Sequence, residues 1–148
     1  MYERILVAID GSQASRRALD EAISLARCLG SSVRLVHVVK KMPWVRPGVD
    51  PDTLQRLVDD LRGMGESILH DATSAVRAAR IDTDSRLIEA PGVEAGEVVI
   101  QEATSWPAQL IVCGTHGRRG IRALLLGGDA EYVVRHSPVP VLLVRASA

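Results

Sequence analysis

The stretch from Gly114 to Asp129, G-T-H-G-R-R-G-I-R-A-L-L-L-G-G-D, carries residue types and spacing suited to holding an anion. It follows the apolar run Leu110, Ile111, Val112, Cys113 and leads into a helical pattern at Ala130, Tyr132, Val133 and Val134. A strand, a glycine-rich loop and a helix start therefore stand in series. Backbone N–H groups at a helix start lack partners, and the helix dipole favours negative charge there. Gly114, Gly117, Gly120, Gly127 and Gly128 permit close backbone approach or a positive φ, and Arg118, Arg119 and Arg122 add positive charge. The alternative for such a loop is a plain connector.

Asp10 is the second candidate. It ends the apolar run Arg4 to Ile9, where a carboxylate needs a partner or a ligand. Ligand contact and a turn with Gly11 both fit. Ser12 reads as the N-cap of the next helix, since no G-x-S-x-G surrounds it to make it a nucleophile. His37, His70, His116 and His136 have no metal-ligand spacing, and only His116 lies in the glycine loop, where it is placed to touch a ligand. No G-x-x-x-x-G-K-[S/T] is present, which argues against a motor-type NTPase.

The elements that must position these residues follow from the hydrophobic pattern. Arg4 to Ile9 is a short apolar run typical of a strand buried on both faces. Ala18, Leu19, Ala22, Ile23, Ala26 and Leu29 recur at helical spacing before Gly30, a natural helix stop. Val33 to Val39 is the second strand. Lys40 to Pro51 carries Pro43, Pro47, Gly48 and Pro51, so it is a loop, either a functional flap or a surface connection. Trp44 in that loop either plugs the sheet edge or closes over a bound base. From about Asp52 a long helix runs to about Ala79, with Gly63 and Gly65 each costing about 1 kcal/mol relative to Ala. Thr83 to Ala90 has the weakest strand pattern, with only Leu87 and Ile88 strongly apolar. Glu94 to about Thr104 is a helix, Leu110 to Cys113 the fourth strand and Val139 to Val144 the fifth.

Strands alternating with helices predict an α/β sandwich with a mostly parallel sheet. Ligands of such sheets bind beyond the strand carboxyl ends, where the strand order reverses. If the first and fourth strands are neighbours, Asp10-Gly11-Ser12 and Gly114-Thr115-His116-Gly117 face one crevice.

Bulk composition restricts the alternatives. A chain of 148 residues, 47% hydrophobic and 24% charged, suits one globular domain spanning 1–148. The 18 basic and 18 acidic residues cancel, against nucleic acid or an anionic membrane as main partner. With no signal-peptide pattern and no apolar run of 18 residues, a cytoplasmic protein is expected. Cys28 and Cys113 form no C-x-x-C and read as small buried hydrophobes, with a redox pair as the alternative.

The opening I-L-V-A-I-D-G-S, the V-R-L-V-H-V-V strand and the glycine loop through A-E-Y-V-V-R-H-S-P-V-P-V-L-L-V together resemble the universal stress protein family over essentially the whole chain. Nucleotide-binding members carry G-x2-G-x9-G-[S/T], and Gly114, Gly117 and Gly127 stand at that spacing. The resemblance implies a Rossmann-like three-layer sandwich, related to the adenine nucleotide alpha hydrolases, with a five-stranded parallel sheet of order 3-2-1-4-5. It further implies that Asp10 meets the ribose or a metal-bound phosphate, that Val38 lines an adenine pocket through its backbone, and that the glycines bring backbone donors to ribose and phosphates. The candidate nucleotide-binding residues are therefore Asp10, Gly11, Val38, Gly114, His116, Gly117, Arg118, Gly127, Gly128 and Asp129, with Asp10 the candidate ligand for Mg2+.

The motif departs at its end, where Gly128 replaces Ser or Thr and Asp129 follows. A lost hydroxyl bond to phosphate removes about 1.5–3 kcal/mol. A carboxylate about 5 Å from a phosphate charge adds about 0.8–3 kcal/mol of repulsion, for an effective dielectric between about 80 and 20. Gly128 still offers its N–H, and Arg118, Arg119 or a Mg2+ shared by Asp10 and Asp129 would offset part of this. Alternatively Asp129 simply complements the dipole and caps the helix it begins.

Two functional readings result. One is a small regulatory protein of stress response that binds ATP, AMP or cyclic AMP, with any hydrolysis slow because no base or arginine finger stands out. The other is a dimeric protein-interaction module that has lost ATP binding through Gly128 and Asp129. The apolar strand Val139 to Val144 needs covering, and Pro140 suits an edge, so a homodimer through that strand is expected.

Overall fold

The computed structural model describes residues 1–40, 47–116 and 126–146. Its elements alternate as read from the pattern: β1 (Arg4–Ala8), α1 (Gln13–Leu29), β2 (Ser32–Val39), α2 (Pro51–Ala78), β3 (Thr83–Glu89), α3 (Ala95–Ser105), β4 (Leu110–Gly114), α4 (Gly128–His136) and β5 (Val141–Val144). The five strands form one parallel sheet of order β3-β2-β1-β4-β5. β1 is therefore central, and Ile5, Leu6 and Val7 are each 0% exposed. Burying such side chains stabilises by about 1.5–3 kcal/mol apiece.

Side chains alternate across the strands and divide the core in two. Ile5, Val7, Val33, Leu35 and Val112 face the layer of α1 and α2, with Ala18, Ala22, Leu69 and Val76. Leu6, Val36, Ile111 and Cys113 face α3 and α4, with Val99, Ala103 and Val133. The result is a three-layer sandwich.

Local chemistry sets the boundaries. Ser12 caps α1, its Oγ accepting from Ser15 N at 3.1 Å, and Gly30 ends the helix at φ 70°. Asp50 caps α2 by accepting from Thr53 N at 2.7 Å, ahead of Pro51. β5 begins at Val141, two residues later than the apolar run suggests. Pro140 has no N–H for the ladder, although its carbonyl accepts from Ile111 N at 3.1 Å.

Two sequence expectations change here. Gly65 does more than weaken α2: a Cβ there would lie 2.6 Å from His37 Cδ2 and 2.8 Å from Leu87 Cδ1, so the glycine lets the helix sit down on β2 and β3. Cys28 is exposed while Cys113 is buried. The buried face of α1 runs through Ala18, Leu19, Ala22 and Ala26, and Cys28 falls off it.

Candidate functional site

The order β2-β1-β4 makes β1 and β4 neighbours whose following helices lie on opposite faces, which opens a crevice at their carboxyl ends. Asp10 leaves β1 into this crevice. Its Oδ1 accepts from Ser12 N at 2.8 Å, closing a turn in which Gly11 takes φ 82°. The turn reading of Asp10 is thus observed. It leaves Asp10 Oδ2 without a partner among the described residues. The strand end itself is fixed from the side: Ile9 N donates to the Val36 carbonyl at 2.8 Å, and His37 Nδ1 donates to the Ile9 carbonyl at 2.7 Å.

The β4 loop is tied at its base. Thr115 N donates to the Val144 carbonyl at 2.9 Å, and Gly127 N donates to the Thr115 carbonyl at 2.8 Å. The chain thus leaves β4 and enters α4 at a single point. Gly117 and Arg118 lie outside the described residues, as do Arg119, Gly120, Arg122 and Trp44. Ser12 Oγ lies 3.4 Å from the His116 carbonyl, to which it donates, so the first and fourth loops meet as the crevice requires. His116 Nδ1 stands 3.0 Å from Thr115 Oγ1, and its Nε2 is buried with no partner among the described residues.

The motif glycines have different jobs. A Cβ at Gly114 would fall 2.7 Å from Ala14 Cβ and 2.9 Å from Ser15 N, so Gly114 allows the start of α1 to pack on the end of β4. Gly127 is the N-cap of α4 and provides no side-chain capping bond. At Gly128 a Cβ would meet nothing within 4 Å among the described residues, which leave room for a serine.

Asp129 sits in the first turn of α4, as the dipole argument expects, but its carboxylate reaches another helix. Oδ1 accepts from Gly96 N at 3.3 Å, at the start of α3, and Oδ2 pairs with Lys40 Nζ at 2.7 Å. It therefore caps α3 and not the helix it begins. Lys40 and Gly96 are the residues that sequence reasoning missed. Lys40 directly follows the second strand, which was a usable signal once β2 and β4 were set on either side of β1. Val38 lies on β2 opposite Ile88, partly buried on the face of α3.

Among the described residues no three His, Cys, Asp or Glu gather to hold a metal. Mg2+ usually takes one or two carboxylates and completes its shell with phosphate oxygens and water. Asp10 Oδ2 fits that one-carboxylate role. Both oxygens of Asp129 already have partners, Lys40 Nζ and Gly96 N, so Asp10 Oδ2 is the oxygen of the two acids that is open to such an ion among the described residues. The buried thiol of Cys113 is pushed up to about 11 by desolvation, which keeps it protonated and inert near neutrality.

Comparison with known proteins points one way. The model of the universal stress protein family matches residues 1–145. A universal stress protein of Methanocaldococcus jannaschii is 31% identical over 98% of this chain and 83% of its own length. A crystal structure of a member of that family from Burkholderia pseudomallei is 34% identical, covers 97% of this chain and 96% of its own, and superposes with a TM-score of 0.79. A universal stress protein crystallised in complex with cAMP is 26% identical, covers 99% of each chain and gives a TM-score of 0.72.

Proposed function

The chain belongs to the universal stress protein family, and from that premise we propose that it is a small cytoplasmic regulatory protein that binds an adenine nucleotide between β1 and β4. The observation that carries the reading is the meeting of the two loops through Ser12 and His116. It sets the Asp10 carboxylate and the uncapped start of α4 around one crevice at the point where strand order reverses. The cAMP held by a family member of the same fold supports the ligand class.

In this reading Asp10 Oδ2 accepts from a ribose hydroxyl or holds a Mg2+ brought in on phosphate. The backbone of Val38 lines the base, and the amide of Gly128, at the start of α4, faces phosphate, while that of Gly127 is held by the Thr115 carbonyl. His116, Gly117 and Arg118 complete the site. Two copies pair through β5, one of the two edge strands of the sheet, and Val134 of the preceding helix α4 is 46% exposed. Among the described residues no helix is long and apolar enough to cross a membrane.

A second reading is favoured by the Lys40–Asp129 pair, which sets a carboxylate at the start of α4, where the first reading needs room for phosphate. Here the protein is a dimeric interaction module that no longer takes ATP. Titration calorimetry with AMP, cAMP, ADP and ATP separates the two. Saturable heat with any of them supports the first reading, and silence at millimolar ligand with no thermal shift supports the second.

A further inference from the structure

Lys40 and Asp129 are 89 residues apart in sequence and belong to opposite sides of the central strand. Lys40 follows β2, Asp129 stands just after the β4 loop, and β1 runs between β2 and β4. Their 2.7 Å ion pair consequently joins the β2 side of the central strand to its β4 side.

The acid is oriented as well as paired. Gly96 N fixes one carboxylate oxygen, and the start of α3, like that of α4, has no side-chain capping bond of its own. Gly96 also brings the two helices into close contact, since a Cβ there would lie 2.8 Å from the Asp129 carbonyl oxygen. Two helix starts and one ammonium thus already share a carboxylate as their anion. Among the described residues nothing lies within 4 Å of where a Cβ at Gly128 would stand, so what marks this end of the crevice is the charge pair.

We propose that the Lys40–Asp129 pair is a charge gate of the crevice, admitting adenine nucleotides with one phosphate and turning away the terminal phosphates of ATP. This rests on the nucleotide reading above. A phosphate that recruits Lys40 must leave Asp129 unpaired beside it, and each added phosphate charge worsens that repulsion. The side chains are 57% and 42% exposed, so the pair itself is weak and exchangeable, and the gate selects by charge without locking the fold.

The test uses the whole chain in Mg2+-free buffer, with calorimetric titration of AMP, cAMP and ATP into the wild type, Asp129→Asn and Lys40→Met. Asn keeps an acceptor for Gly96 N while removing the charge, and thermal unfolding checks that each variant is folded. The wild type binds AMP about tenfold or more tighter than ATP. Asp129→Asn strengthens ATP by about tenfold and AMP by a smaller factor, so that the AMP preference shrinks, and Lys40→Met weakens ATP further. Equal affinities in the wild type, or an Asp129→Asn change that moves AMP and ATP alike, overturns the gate while leaving the nucleotide reading intact. No binding of any nucleotide to any of the three proteins overturns both.

Discussion

Gly114 and Ala14 approach so closely that a methyl group at Gly114 would lie 2.7 Å from the Ala14 Cβ and 2.8 Å from its carbonyl carbon. The first glycine of the phosphate-type motif is thus a packing residue, joining the start of α1 to the end of β4. Gly114→Ala forces backbone against backbone, and such overpacking costs about 1–3 kcal/mol. Urea unfolding without nucleotide should show that loss; an unchanged midpoint would make Gly114 a ligand residue alone.

Two glycines of α2 should respond with opposite signs. A Cβ at Gly65 meets His37, which is held to the Ile9 carbonyl, whereas a Cβ at Gly63 meets nothing within 4 Å. Gly63→Ala should stabilise by about 0.5–1 kcal/mol through helix propensity and a less flexible unfolded chain. Gly65→Ala should destabilise by about 1–3 kcal/mol. Equal shifts in thermal or urea unfolding would refute the packing role of Gly65.

These glycines also show where sequence reading reached its limit. Periodicity locates the nine elements found among the described residues, because the central strand is continuously apolar and each helix shows one apolar face. It marks β3 least clearly because β3 is an edge strand, with Asp84, Ser85 and Arg86 exposed. What Gly65, Gly114 and Gly96 touch is far away in sequence, so local pattern assigns them only flexibility. The Lys40–Asp129 pair is hidden for the same reason, since it exists only once the strand order is known. Cys28 was legible and misread: it lies two residues past Ala26, about 200° around α1 from the buried face. The meeting of the first and fourth loops was legible, because each follows a strand and the two strands are neighbours.

Cys113 should leave a signature in alkaline stability. Burial raises its thiol from 9.0 to about 11, so an unfolded chain releases this proton first as pH rises. The stabilisation is fully present below about pH 9 and is lost towards about pH 11, amounting to about 2–3 kcal/mol. Cys113→Ala should flatten that part of the profile of unfolding free energy against pH. Parallel profiles would contradict it. In the native protein a thiol reagent should label the exposed Cys28 and spare Cys113.

The most direct measurement of the central claim is amide NMR of the labelled chain titrated with AMP. The account predicts saturable shifts at Gly11, Val38 and Gly128, on the three sides of the crevice, together with loss of saturation in Asp10→Ala. Amides of the β3 edge, such as Asp84 and Arg86, should stay in place. Shifts centred on that edge, or none at millimolar AMP, would contradict nucleotide binding between β1 and β4.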